Sequence, residues 1–186
     1  MTHNLGDVRR TVSTEVTRNV SAIPELLAAA ERHAAGFHEG ALQRPPTRGF
    51  AILTCIDARI DPDKIFGLAP GDANVLRNGG GRAAEALRSL AISQELLGTR
   101  EIVVLHHTDC GLHAFSTAEI RERLGASLGP AAAEAAATVD FLSFSDTDQN
   151  LRDDVALLRA SPLLRPETVI AGLVYDVATG RVRQVV

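Results

Sequence analysis

Two short apolar runs, Phe50-Ala51-Ile52-Leu53-Thr54 and the stretch Glu101 to His106, stand out from the polar sequence around them. Continuous apolar runs of this length predict strands buried on both faces of a parallel sheet, where alternating runs would predict strands with one wet face. Between them, Asp61-Pro62 opens a helical turn or two ending near Gly67, and Ala73 to Leu76 predicts another strand. Arg82 to Leu97 predicts a helix with one buried face, because Ala83, Leu87, Leu90 and Leu97 recur at helical spacings before Gly98. Strand, helix, strand is the parallel crossover unit.

The flanking sequence extends this plan. Ser21 to His38 has helical composition, with Ser21 expected as N-cap and Pro24 in the first turn. Ser116-Thr117-Ala118-Glu119 has the form of a capping box and predicts a helix through Leu124. From Gly125 to Asp146 only partial helix is expected, whereas Leu151 to Ala160 reads as a helix stopped before Pro162. Thr168 to Tyr175 predicts the last long strand, and the turn signal Ala178-Thr179-Gly180 predicts a closing hairpin. The sum is an α/β fold: a central, mostly parallel sheet of about four strands with an antiparallel edge strand, flanked by helices. We expect one domain over residues 1–186, with 1–20 as an N-terminal arm.

Composition narrows the function. The chain is 45% hydrophobic and 23% charged with a formal charge of -4, so it has no electrostatic case for nucleic acid. It lacks Trp and has one Tyr, which removes an aromatic binding cage. Neither a signal-type apolar segment near the start nor a run approaching the roughly 18 residues of a membrane span is present. A cytoplasmic protein without a membrane partner is expected, and there its two cysteines read as metal ligands in preference to a disulfide.

Both cysteines lie at the ends of the buried runs, in Cys55-Ile56-Asp57-Ala58-Arg59 and His106-His107-Thr108-Asp109-Cys110-Gly111. Two thiolates and an imidazole make three ligands of one zinc ion, and three protein ligands leave a position for water, as catalytic zinc sites do. His106 and His107 point to opposite faces of a strand end, so one of them binds with Cys110; His107 has the spacing, and His106 is packed or supports the ligands. Asp57 and Arg59 can pair beside the metal, keeping the carboxylate ionised and oriented, or Asp57 can become the fourth ligand in a closed state. His113 is either a proton carrier or an exposed helix-edge residue. His3, His33 and His38 read as surface residues, and Gly79-Gly80-Gly81 as a site-lining or close-packed turn, since it lacks the features of a P-loop.

With Cys55-x-Asp57-x-Arg59 and His107-x-x-Cys110-Gly111 in this order, the chain resembles the β-class carbonic anhydrases, in particular their short bacterial branch. The likeness extends through Asn74 to Asn78, Arg88-Ser89-Leu90, Leu97 to Gly111 and Gly172 to Gly180. The resemblance implies one zinc ion per subunit and reversible hydration of carbon dioxide to bicarbonate by a zinc-bound hydroxide. It implies that Asp57 and Arg59 act catalytically, that the Gly111 backbone N–H meets substrate oxygen, and that the protein is a homodimer or homotetramer. The pocket-lining glutamine and aromatic residues of the plant-like branch have no assigned counterparts here. Carbonyl sulfide hydrolysis on the same zinc site therefore stands as the alternative.

Overall fold

The computed structural model describes residues 21–186, so the expected arm over 1–20, with His3, lies outside the described residues. The chain divides into two compact units, one up to Ala41 and one from Leu42 to Val186. In the first, helix α1 (Ile23–Ala35) carries Pro24 in its first turn, where the missing N–H needs no partner. The helix is capped at Ala22, one residue after the expected Ser21, while the Ser21 hydroxyl accepts from the Ile23 N–H at 3.3 Å. The helix ends at Gly36 and does not reach His38, and Ile23, Leu26 and Leu27 along it are exposed.

The second unit is built on a five-stranded sheet of β1 (Phe50–Cys55), β2 (Ala73–Asn78), β3 (Glu101–His107), β4 (Val169–Tyr175) and β5 (Val182–Gln184), in the order β2-β1-β3-β4-β5. All pairings are parallel except β4 with β5, which is the expected antiparallel hairpin. Ala51, Ile52 and Leu53 are completely buried, as a central strand with cover on both faces requires. The helices are α2 (Pro62–Phe66), α3 (Ala83–Leu97), α4 (Gly111–Ala114), α5 (Thr117–Leu128), α6 (Pro130–Ala137) and α7 (Thr147–Ala160). Among the described residues no helix is long and apolar enough to cross a membrane.

One face of the sheet packs Ala51, Leu53, Ile102 and Val104 against α3 and α7 through Ala83, Ala86, Leu90, Leu151, Val155 and Leu158. The buried stripe of α3 is thus Ala83, Ala86, Leu90, Ser93 and Gln94, with Leu87 and Leu97 only half-buried at its margin. Gly172 of β4 lets α7 approach closely: a Cβ there would lie 3.0 Å from the Leu151 side chain. The other face buries Ile52 and Leu105 with Cys55, Ile60 and Cys110. Strand alternation along β3 sends His106 toward the α7 face with Val104, and His107 toward the Leu105 face.

Three elements run further than expected. Strand β2 continues through Arg77 and Asn78 because it pairs with β1 as far as Cys55. Helix α5 opens with the complete Ser116–Glu119 capping box and runs past Gly125 to Leu128; that glycine packs against Ala133 of α6. Helix α7 starts at Thr147 and not Leu151, because the Asp146 side chain caps the N–H groups of Asp148 and Gln149. A Ser/Asp-rich stretch that looks irregular is in fact a helix start.

The turn after β2, Gly79–Gly81, lies directly on the end of β1. Gly81 has φ +68°, and a Cβ there would lie 3.0 Å from the Thr54 carbonyl carbon. Gly81→Ala is expected to lower stability by about 2 kcal/mol through a left-handed non-glycine residue and overpacking. Urea unfolding checks this; a variant as stable as the parent would show that the turn can leave β1 freely.

Candidate metal centre

Cys55 ends β1, His107 ends β3, and Cys110 follows His107 after a two-residue loop. Parallel strands place their carboxyl ends side by side, where open α/β sheets build their sites. The two sulfurs and the His107 ring nitrogen lie within 4.8 Å of one another, and all three residues are buried. Both thiols are free.

The His107 ring is oriented for ligation. Its Nδ1–H donates to the Thr108 carbonyl at 2.9 Å, which leaves the Nε2 lone pair unprotonated. That Nε2 is buried and is the single buried side-chain N or O atom among the described residues without a hydrogen-bond partner. The Cys55 thiol is held well below its ordinary range, chiefly by the hydrogen bond from Cys110, with the backbone amides of Asp57 and Gly80 adding to it against the effect of burial. Cys110 is pushed up by the same bond and by burial. A divalent cation between the two sulfurs would neutralise both thiolates and satisfy the nitrogen. The residues fit such a group.

The backbone around the site is pinned from several directions. The Gly80 N–H donates to Cys55 Sγ at 3.3 Å. Arg77 reaches from β2 to the carbonyls of Cys55 at 3.0 Å and Asp57 at 2.6 Å, fixing the loop after β1. Thr108 N–H donates to the Tyr175 carbonyl at 3.0 Å and its hydroxyl accepts from Val177 N–H at 3.1 Å, which fixes the loop between His107 and Cys110.

Asp57 stands beyond the end of β1, in that loop. Arg59 donates to both of its carboxylate oxygens, Nε to Oδ1 at 3.0 Å and Nη2 to Oδ2 at 2.7 Å, and the Arg59 N–H adds a bond to Oδ1 at 2.9 Å. These bonds lower the Asp57 carboxyl from 3.8 to about 2 and raise the guanidinium. Asp57 Oδ2 is 4.0 Å from His107 Nδ1, and the carboxylate is outside the cluster of three ligand atoms. The arginine is gripped from its other side by Asp109, Nη1 to Oδ2 at 2.7 Å and Nη2 to the backbone carbonyl at 3.0 Å. Asp109 adopts a left-handed φ of 56°, which aims both its oxygens at one guanidinium. Sequence reasoning missed Asp109, although an acidic residue beside a ligand cysteine was a signal.

Gly111 is exposed and opens α4, so its N–H belongs to a first turn that has no intrahelical acceptor. His113 is exposed, with Nε2 bonded to the Ser145 carbonyl at 2.9 Å and its ring edge on Phe144. His33 and His38 are exposed. His106 is buried on the opposite face of β3 from His107, 3.3 Å from Asp154.

A family profile described as carbonic anhydrase matches residues 50–182. β-Carbonic anhydrase 1 of Mycobacterium tuberculosis is 38% identical over 154 residues, covering 82% of this chain and 91% of that protein. The chain belongs to the β-carbonic anhydrase family. Carbon disulfide hydrolase of Saccharolobus solfataricus is also related, 32% identical over 160 residues, 75% of this chain and 78% of that one. The solved structure of a carbonic anhydrase from Glaciozyma antarctica matches with a TM-score of 0.84 and 43% identity over 89% of this chain and 99% of that one. Within this β-carbonic anhydrase fold, then, the Cys-His-Cys cluster is a group of side chains that could hold a metal ion, and the Asp57-Arg59-Asp109 array is its neighbour.

The array gives a signed pH dependence in the metal-free protein. A carboxyl lowered on folding contributes stability that is complete above its unfolded value of 3.8 and is lost as pH falls toward about 2. Asp57→Asn is therefore expected to flatten the acid loss of stability across that window, measured by urea unfolding at stepped pH. An unchanged slope would show that the Arg59 pairing contributes nothing to folding.

Proposed function

We propose that this chain is a zinc enzyme that reversibly hydrates carbon dioxide to bicarbonate, with Cys55, His107 and Cys110 holding the ion. The observation that carries the proposal is the buried, unpaired His107 Nε2 facing two thiols beside an arginine-held carboxylate. Zinc held there would supply a Lewis acid with one position left for water, lowering the pKa of that water.

The protein's own groups do the rest. Asp57, kept ionised by Arg59, accepts a hydrogen bond from the attacking oxygen and orients it, while Asp109 holds the guanidinium in place. The Gly111 N–H donates to a substrate oxygen. Ile60, Phe66, Leu112, Phe144 and Tyr175 surround the cysteines with apolar groups, which suits a small, uncharged, linear substrate. Such surroundings also admit carbonyl sulfide, and the related carbon disulfide hydrolase favours keeping that as the second reading. Assembly as a homodimer or homotetramer and a cytoplasmic location belong to the same proposal; the exposed Ile23, Leu26 and Leu27 of α1 support assembly.

The test is a pair of assays on zinc-quantified protein: stopped-flow hydration of carbon dioxide, and sulfide release from carbonyl sulfide. Fast hydration with weak sulfide release is expected, and the reverse would make the chain a carbonyl sulfide hydrolase. For the division of roles, Cys110→Ser should lose most of its zinc. Asp57→Asn should keep zinc and lose turnover by about 100-fold. Equal zinc loss in both variants would overturn the assignment of Asp57.

A further inference from the structure

Behind the glycine turn lies a buried polar network that the proposed reaction does not use. Asp154 of α7 is 2% exposed and meets Arg82 Nε at 2.8 Å and His106 Nε2 at 3.3 Å. The Asn150 amide lies 3.4 Å from His106 Nδ1 and donates to it, which makes Nε2 the ring nitrogen that donates. That Nε2–H is shared between Asp154 and the Gly81 carbonyl, 3.3 Å away. Burial alone would raise the Asp154 carboxyl, but the bonds from His106 and Arg82 outweigh it and keep the group ionised.

Each link leads toward the site. Arg82 is tied back to Asn78 by two bonds, Arg82 N–H to Oδ1 at 2.7 Å and Nδ2 to the Arg82 carbonyl at 2.9 Å, which closes the turn that holds Gly79–Gly81. Gly81 rests on the Thr54–Cys55 peptide, so the turn cannot shift without β1. Gly80, at φ 75°, then presents its N–H to Cys55 Sγ. Arg82 also donates to the Leu142 carbonyl, which seats Phe144 against the His106 ring at 6.2 Å between centroids.

A buried ion pair is costly to desolvate and is often replaceable by apolar groups without loss of stability, so core packing alone does not call for one here. We infer that Asp154 is a positioning residue: acting through His106, Arg82 and Gly81, it holds the Gly80 amide on the Cys55 sulfur and so sets how firmly the site keeps its metal. An N–H directed at a ligand sulfur fixes where that sulfur points, as hydrogen bonds from outside the ligand set do at metal sites. The inference rests on the metal-binding reading above and not on which substrate is turned over.

The test uses the zinc-loaded full chain and its cobalt(II)-substituted form. Asp154→Asn keeps the volume and one acceptor but removes the charge. Asp148→Asn makes the same change on the same helix at the exposed pair with Arg183, whose side chain bonds to no member of the network, and serves as the control. Chelator competition is expected to show zinc affinity about tenfold or more weaker in Asp154→Asn, in the range usual for groups that orient metal ligands. The thiolate-to-cobalt absorption band should shift in that variant, while Asp148→Asn leaves both readings at the parent value. Should Asp154→Asn not fold at the assay temperature, Asn150→Leu releases the His106 ring without breaking the ion pair and is read in the same way. A folded variant with parental zinc affinity and an unmoved cobalt band overturns the inference. Parent protein that binds zinc but does not hydrate carbon dioxide overturns the proposed reaction alone.

Discussion

An imidazole nitrogen buried without a partner costs about 1–3 kcal/mol relative to a satisfied one. His107 Nε2 bears that cost because its ring cannot turn away: Nδ1 is committed to the Thr108 carbonyl, and β3 pairs with β1 on one side and β4 on the other. Two buried sulfurs face the same nitrogen, all three atoms within 4.8 Å of one another. The site is thus unsatisfied as a set of protein groups, a divalent cation would satisfy it, and the pairing of β3 on both sides holds the ring where it is.

The surrounding charges follow from this centre. Two thiolates and a divalent ion would sum to a neutral site, and water coordinated there would be less acidic than at a more cationic site. A neutral centre places more of the task on adjacent groups, and the structure supplies a carboxylate whose two oxygens are both engaged by one guanidinium. Asp109 completes the clamp from the loop between two of the clustered residues, so the array ties the end of β1 to the end of β3. Movement of either loop would disturb the metal-binding group and the carboxylate together.

On the far face of β3, His106, Asp154 and Arg82 occupy the position where the core would otherwise be apolar, next to Leu151 and Val155. Adjacent residues on one strand therefore serve opposite environments: His107 faces two sulfurs, and His106 faces an ion pair. Alternation along the strand separates them by geometry alone.

Much of this was legible in the sequence because it is local. Continuous apolar runs marked β1 and β3, and Asp61-Pro62 and the Ser116–Glu119 box marked helix starts, since a strand's burial pattern and a helix cap are written in neighbouring residues. The shared centre of Cys55, His107 and Cys110 was marked by residue type, each lying at or just past the end of an apolar run. The extra turn of α7 escaped because one cap residue, Asp146, outweighed a stretch of poor helix formers. What only the tertiary structure decided are the long-range partners: Asp109 on Arg59, Arg77 on the Cys55 and Asp57 carbonyls, and Asp154 on His106 and Arg82. These contacts join residues 20 to 72 positions apart, and no periodicity or spacing along a chain encodes which charged side chain a folded sheet will bring to a given atom.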